Sequence, residues 1–226
     1  MNRHERRANA AKSRSSGLER VVAIHESGHA VARVLVASEL GHPVSKAISH
    51  IDVGMGQPLG RSSDGQATMY SMATTYGPWL PQIAEAFVKS LGLKQGETLS
   101  REQLQEAIHA AERAGVDIKA WAAGSVFHIT AGAAAEAKFT EQTFVSIWNS
   151  YACEGDVDSA IRDCVLAGFD ESTGRLFIAE HANRAVEAME RGDVWHAVLT
   201  LADCLPGRRR MSGSTAIIVI QRALRE

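Results

Sequence analysis

The string HESGH at residues 25–29 has the residue types and the spacing of a metal-binding helix. On a helix, His25 and His29 are one turn apart and project from the same face, so two imidazoles can bind one metal ion. Glu26 is rotated by about 100° from His25, which places its carboxylate beside the metal, where it can accept a proton from the attacking water. The sequence therefore predicts His25 and His29 as metal ligands and Glu26 as the catalytic base.

The residues around this string predict that it lies on a buried helix. Ser15 and Ser16 precede the segment as candidate N-caps, and Gly41 and Pro43 follow it, so a helix is expected over about residues 18–40. The flanking apolar residues are Val21, Val22, Ile24, Val31, Val34 and Leu35. A buried apolar helix is where a zinc protease carries this motif.

Composition and charge limit the class of protein. A chain of 226 residues is long enough for one large domain with a sizeable core, and a net charge of −2 gives no general attraction to nucleic acid or anionic lipid. The three cysteines include no CxxC pair, which indicates reduced thiols in a cytoplasmic protein. No apolar run approaches the roughly 18 residues of a membrane span. A cytoplasmic protein that binds neither nucleic acid nor membranes is expected.

After the first helix, the pattern predicts a small β element and then helices. Alternating residues predict strands over residues 46–53 and 66–72, with a turn-rich loop at residues 54–65. Helices are expected at residues 81–91, 100–114, 117–138, 140–149, 156–166, 171–191 and 194–205, whereas residues 212–224 fit either type. The predicted fold class is mainly α with a small β element (α+β). We expect a disordered basic arm over residues 1–17 and a single domain over residues 18–226.

A catalytic zinc site normally has three protein ligands and one open position, so HESGH needs a third ligand. The residues after His29 do not extend the motif to HExxHxxGxxH, and Glu39 lies too close on the same helix to fold back onto the metal. The third ligand must therefore come from a distant segment. The residues alone leave four carboxylates open: Glu136, Asp156, Asp158 and Asp163.

Several segments resemble, in the same order, the peptidase domain of the FtsH-type ATP-dependent zinc metalloproteases. AIHESGHAV resembles the AxHEAGHA signature of that family, and KAISHIDVGMG resembles the strand that follows it. TAGAAAEAKF resembles the helix with AGRAAEE, and ACEGDVDSAIRDCVLAGF resembles the GASNDIxxATxLAR segment. DVWHAVLTLADCLPGRRRMSGSTAI resembles the closing helices. The resemblance covers most of residues 18–224 and implies a zincin-type HExxH helix packed in a helical peptidase domain.

The resemblance implies Zn²⁺ as the cofactor and Asp156 as the third ligand, although Gly155 stands where the family has Asn. The alternative role of Asp156 is to cap the helix that follows it. Glu136 is the alternative ligand, or else an acceptor that orients His25 or His29. No residues for another cofactor are predicted.

The chain also departs from that family. It has no GxxxxGK[ST] phosphate loop and no membrane anchor, and it has an extra segment at about residues 77–123. ATP-driven unfolding is therefore not expected of this chain. The expected partners are peptide or unfolded protein substrates, a separate ATPase, and further copies of the chain, since the resemblance implies a hexameric homo-oligomer.

The predicted function is a soluble zinc metalloendopeptidase, a hydrolase that cleaves unfolded or flexible polypeptides with a metal-activated water and without its own ATPase. The alternative is a non-proteolytic metal-binding adaptor or regulatory protein that retains the peptidase fold. Glu26 favours the peptidase, because a pure binding module needs no base beside its metal.

Overall fold

The computed structural model describes most of the chain. The described residues are 3–52, 58–61, 67–69, 74–76, 102, 106, 109, 113, 117–205 and 210–226. The helix predicted at residues 81–91 lies outside this set. Of the helix predicted at residues 100–114, the four described residues are helical.

Seven helices have defined ends in these ranges. They are α1 (Arg3–Glu39), α2 (Ile118–Thr140), α3 (Phe144–Trp148), α4 (Glu154–Leu166), α5 (Glu171–Glu190), α6 (Gly192–Cys204) and α7 (Gly213–Ala223). Short 3-10 turns lie at Val44–Lys46 and Tyr151–Cys153. Side chains cap several of the helix starts, as where the carboxylate of Asp117 accepts from the amide of Ala120 at 2.9 Å.

The strands are short and antiparallel. They are β1 (His50–Asp52), β2 (Pro58–Arg61), β3 (Ala67–Met69), β4 (Thr74–Tyr76) and β5 (Arg210–Ser212). β1 lies between β4 and β5, with Ile51 opposite Thr75 on one side and Met211 on the other. β2 and β3 pair separately. The prediction of a mainly helical fold with a small β element is confirmed.

The core is centred on α1, which packs against α2, α6 and α7. Ile24, Val31 and Val36 of α1 are almost fully buried, together with Leu201 of α6 and Ile220 of α7. Helix α2 in turn packs against α3, α4 and α5. Because α1 carries HESGH and α2 packs against both α1 and α4, the candidate site depends on how closely α1 and α2 approach.

Small residues bring α1 and α2 close together. A Cβ atom on Gly28 would lie 2.5 Å from the carbonyl oxygen of Ala131 and 2.7 Å from Cβ of Ala135, closer than such atoms pack in proteins. Glycine at the fourth position of HESGH and alanine in α2 therefore let the two backbones approach. The sequence of α2 is rich in alanine, so its amphipathic pattern is weak. Its small side chains allow α1 and α2 to pack closely at this crossing.

Several boundaries differ from the sequence predictions, and β4 lies outside both predicted strands. Helix α1 begins at Arg3, so the segment assigned to a disordered arm is helical from that residue onward; it is rich in Ala and Arg, which favour helix. Strand β2 lies inside the predicted loop, where pairing with β3 stabilises it. In the ambiguous segment at residues 212–224, Ser212 ends β5 and its hydroxyl caps α7 by accepting from the amide of Thr215.

None of the helices in the described part of the chain combines the length and apolar character needed to cross a membrane.

Candidate metal centre

The side chains of HESGH lie together at the crossing of α1 and α2. The ring centroids of His25 and His29 are 4.7 Å apart, with the ring planes at 76°. The imidazole nitrogens and a carboxylate oxygen of Glu26 lie within 4.8 Å of one another. Glu26 and His29 are only 4% and 7% exposed, so this carboxylate and imidazole are largely shielded from water.

Asp156, in the first turn of α4, completes this group from a segment more than a hundred residues away. Its Oδ2 lies 3.1 Å from Nε2 of His25 and 3.4 Å from Nε2 of His29. Two ligand atoms bound at about 2.1 Å in a tetrahedral zinc site lie roughly 3.4 Å apart. Both distances from Oδ2 of Asp156 to the imidazole nitrogens are therefore close to the spacing of two ligands on one zinc ion.

The other nitrogen of each imidazole is held by a hydrogen bond on the opposite side of the ring. Nδ1 of His25 donates to Oε2 of Glu136 at 2.9 Å, and Nδ1 of His29 donates to the backbone carbonyl oxygen of His128 at 2.8 Å. Such bonds fix the ring orientation and leave Nε2 to bind a metal. Glu136 therefore contacts Nδ1 of His25, from which position a carboxylate can orient the imidazole.

Gly132 of α2 makes room for both imidazoles. A Cβ atom on this residue would overlap the ring of His29 and lie 2.7 Å from Nε2 of His25. Any larger side chain would occupy the space in which the two Nε2 atoms converge. Glycine in α2 is therefore required by the site, although glycine within a helix lowers helix stability.

The electrostatics of the site favour a positive charge between the carboxylates. Burial alone would lower the pKa of His25, but hydrogen bonds to Asp156 and Glu136 outweigh burial and raise it to about 10. Burial alone would raise the pKa of Asp156, yet the charge of His29 and the hydrogen bonds from both histidines hold it well below its usual range. A metal cation can replace the proton that His25 otherwise binds.

The remaining carboxylates considered for the third ligand lie elsewhere. Asp163 is buried and accepts hydrogen bonds from Oγ of Ser125 at 2.6 Å and from Nε of Arg162 at 3.1 Å, and burial raises the pKa of its carboxyl group. Asp158 is exposed. Asp156 is also not the N-cap of α4, because that helix begins at Glu154 and Cys153 takes the N-cap position.

A buried guanidinium, that of Arg33, lies near Glu26. Arg33, seven residues after Glu26 on α1, is 8% exposed. Burial lowers the pKa of Arg33 to about 10, and the nearby charges of Glu26 and Asp163 oppose that shift. Arg33 therefore places positive charge near Glu26.

Two residues of the centre were not predicted from the sequence. Gly132 lies in the segment that resembles AGRAAEE. That resemblance indicated a helix but did not indicate that Gly132 contacts the imidazoles. Cys153 is fully buried, and its Sγ lies within 4.8 Å of ligand atoms of His25 and Asp156. Burial, followed by the charges of Asp156 and Glu136, raises the pKa of Cys153 to about 12. The sequence feature that could have identified Cys153 is its position three residues before Asp156.

No protein-family model matches the chain, and no curated protein is significantly similar to it. The resemblance to the FtsH-type peptidase domain therefore rests on the motifs quoted above and on their order.

Proposed function

We propose that this protein is a zinc metallopeptidase of the FtsH-peptidase-like type that hydrolyses unfolded or flexible polypeptides. The observation that carries the proposal is the convergence of Nε2 of His25 and Nε2 of His29 on one carboxylate oxygen of Asp156. Nδ1 of each imidazole also donates a hydrogen bond, which fixes the orientation of the ring. A purely structural histidine pair would need no third donor at this spacing.

The chemistry of the donors fits zinc. Two imidazole nitrogens and one carboxylate oxygen form one of the ligand sets of catalytic zinc, in which the fourth position stays open. When bound, zinc would polarise the scissile carbonyl and lower the pKa of a water molecule from about 15.7 toward about 7. The orienting bonds from Glu136 and from the His128 carbonyl oxygen match the outer contacts typical of zinc-binding histidines.

Glu26 is the proposed catalytic base. It follows His25 directly, and its carboxylate lies beside both imidazoles without taking the place of Asp156. In this position it accepts a proton from the attacking water and transfers it to the leaving amine. Glu26 is buried, and the positive charge of Arg33 lies near it.

The proposed substrates are peptides, flexible segments and unfolded chains, because the sequence contains no phosphate loop that could drive unfolding. We also propose a separate ATPase that delivers folded substrates, and a hexameric assembly of this chain. Both proposals rest on the resemblance alone. Cytoplasmic location remains the proposal from cysteine usage.

A cleavage assay with an unfolded, fluorescently labelled protein tests this function. Wild-type protein with zinc should cleave the substrate, and a chelator should stop cleavage. Glu26→Gln should lower the rate by about 10²- to 10⁴-fold while zinc content stays near one per chain. Glu39→Gln is the matched control, since Glu39 is an exposed residue at the end of the same helix, paired with Arg184.

The results separate the peptidase from its rival. Cleavage that survives Glu26→Gln unchanged contradicts the mechanism. One zinc per chain with no cleavage of any unfolded substrate supports a metal-binding adaptor or regulatory protein. Absence of bound zinc in the wild type contradicts both.

A further inference from the structure

A thiol lies at the proposed zinc centre in addition to the three proposed ligands. Sγ of Cys153, one imidazole nitrogen of His25 and one carboxylate oxygen of Asp156 lie within 4.8 Å of one another. The side chains of His25, Glu26 and His29 form a second group with equally close spacing. His25 belongs to both groups, so the thiol lies beside Asp156 and beside one of the two histidines of HESGH.

The local backbone explains how Cys153 reaches this point. Cys153 ends the 3-10 turn Tyr151–Cys153 and takes the N-cap position of α4, but its side chain does not cap the helix. Asp156 follows three residues later, and side chains at that spacing project from the same side of a helix. The start of α4 therefore brings a thiol and a carboxylate to His25 together.

Packing alone does not account for this placement. Cys153 contacts a small apolar cluster with Ala133, Ala137 and Ile147, which explains why its side chain is excluded from water. A structural cysteine in such a cluster needs only apolar neighbours. Here the sulfur atom also lies against an imidazole and a carboxylate, which are the groups that bind metals.

We propose that the Cys153 thiolate is a fourth protein ligand of the metal, which closes the coordination sphere and keeps the peptidase inactive until the thiolate is displaced. This inference rests on the zinc site proposed above. On metal binding, the S–H proton passes to solvent and a sulfur lone pair forms the new bond. Zinc sites with four protein ligands are structural and closed, whereas catalytic sites keep one position for water. A displaceable fourth ligand would allow both states in one protein.

The direct test is X-ray absorption at the zinc edge of the zinc-loaded wild-type protein. We expect one sulfur neighbour at about 2.3 Å in addition to nitrogen and oxygen neighbours at about 2.0–2.1 Å. The cobalt-loaded protein should also show a sulfur-to-cobalt charge-transfer band. Cys153→Ser should lose that band, and Cys164→Ser should keep it. Cys164 is a matched control because it is also a buried cysteine, placed in α4 with its Sγ 3.8 Å from the carbonyl oxygen of Gly174.

The second test compares cleavage of an unfolded protein by the same two variants. Cys153→Ser should cleave faster than Cys164→Ser and bind zinc more weakly, because one position is open to water.

Bound zinc with no sulfur neighbour in the wild type overturns the ligand assignment and leaves the proposed peptidase intact. A sulfur neighbour with no gain of activity in Cys153→Ser overturns the inhibitory role. Failure of the wild type to bind zinc or cobalt overturns the proposed function itself, and this inference with it. The absorption measurement needs no variant, so a Cys153→Ser protein that fails to fold leaves the ligand assignment testable.

Discussion

Gly132 of α2 lies so close to His25 of α1 that a Cβ atom on the glycine would stand 2.7 Å from Nε2 of the imidazole. The same atom would overlap the ring of His29. The space between the two imidazoles thus exists because one position of the neighbouring helix has no side chain. The proposed metal centre therefore depends on both helices, and HESGH alone does not define it.

Gly132→Ala should therefore abolish tight zinc binding while raising the intrinsic helix propensity of α2 by about 1 kcal/mol. The matched control is Gly192→Ala at the start of α6, where an added Cβ meets no atom within 4 Å. Zinc content by elemental analysis and helicity by circular dichroism provide the measurements. A Gly132→Ala protein that binds zinc as tightly as the wild type would contradict the close approach seen here.

Asp156→Ala should reduce zinc binding severely, because it removes a carboxylate oxygen that lies 3.1 and 3.4 Å from Nε2 of the two histidines. Asp158→Ala, two residues later in the same helix, should bind zinc like the wild type because Asp158 is exposed. Competition with a chromogenic chelator measures both affinities. Equal affinities for the two variants would show that Asp156 is not a ligand.

Glu136→Gln should weaken zinc affinity by about 10- to 100-fold without removing the site, because the carboxylate orients His25 through Nδ1. The amide can still accept a hydrogen bond but carries no charge to support the imidazole. Glu187→Gln, at an exposed position of α5, is the control. If Glu136→Gln removes the metal as completely as Asp156→Ala, Glu136 is itself a ligand.

The stability of the metal-free protein should depend on the protonation of His25. Its pKa is raised from 6.5 to about 10 in the folded state, so its interactions with the two carboxylates stabilise the fold fully below about pH 6.5. That contribution should be lost as the pH rises from about 6.5 to 10. Urea unfolding in the presence of a chelator, across this range, measures the loss.

The matched comparison for this pH dependence is His25→Asn, which cannot bind the proton. The difference in free energy of unfolding between wild type and variant should shrink as the pH rises through that window. A difference that stays constant or grows with pH contradicts the raised pKa.

Gly28→Ala should destabilise the protein by about 1–3 kcal/mol, because a methyl group at the helix crossing forces α1 and α2 apart. Gly192→Ala again serves as the control. Thermal unfolding of the metal-free proteins checks the prediction separately from zinc binding. An unchanged melting temperature would mean that the crossing can relax without cost.

The sequence by itself determined the features that depend on residues close together along the chain. The one-turn spacing of His25 and His29 fixed their common face, and apolar residues around them placed that face on a buried helix. Periodicity and capping residues also located α2, α4, α5 and α6 to within a few residues, because such signals depend on neighbours along the chain. The strand β2 escaped prediction because its pairing with β3 comes from a different segment.

Only the tertiary structure decided which distant groups meet the two histidines. From composition, Glu136, Asp156, Asp158 and Asp163 were equivalent, and the resemblance favoured one of them without geometry. The packing of α2 against α1 and of α4 against α2 brings Asp156 to Nε2 of both histidines, Glu136 to Nδ1 of His25, and Asp163 to Ser125. Contacts across more than a hundred residues depend on how helices approach one another, and side chains as small as those of Gly28 and Gly132 set that distance.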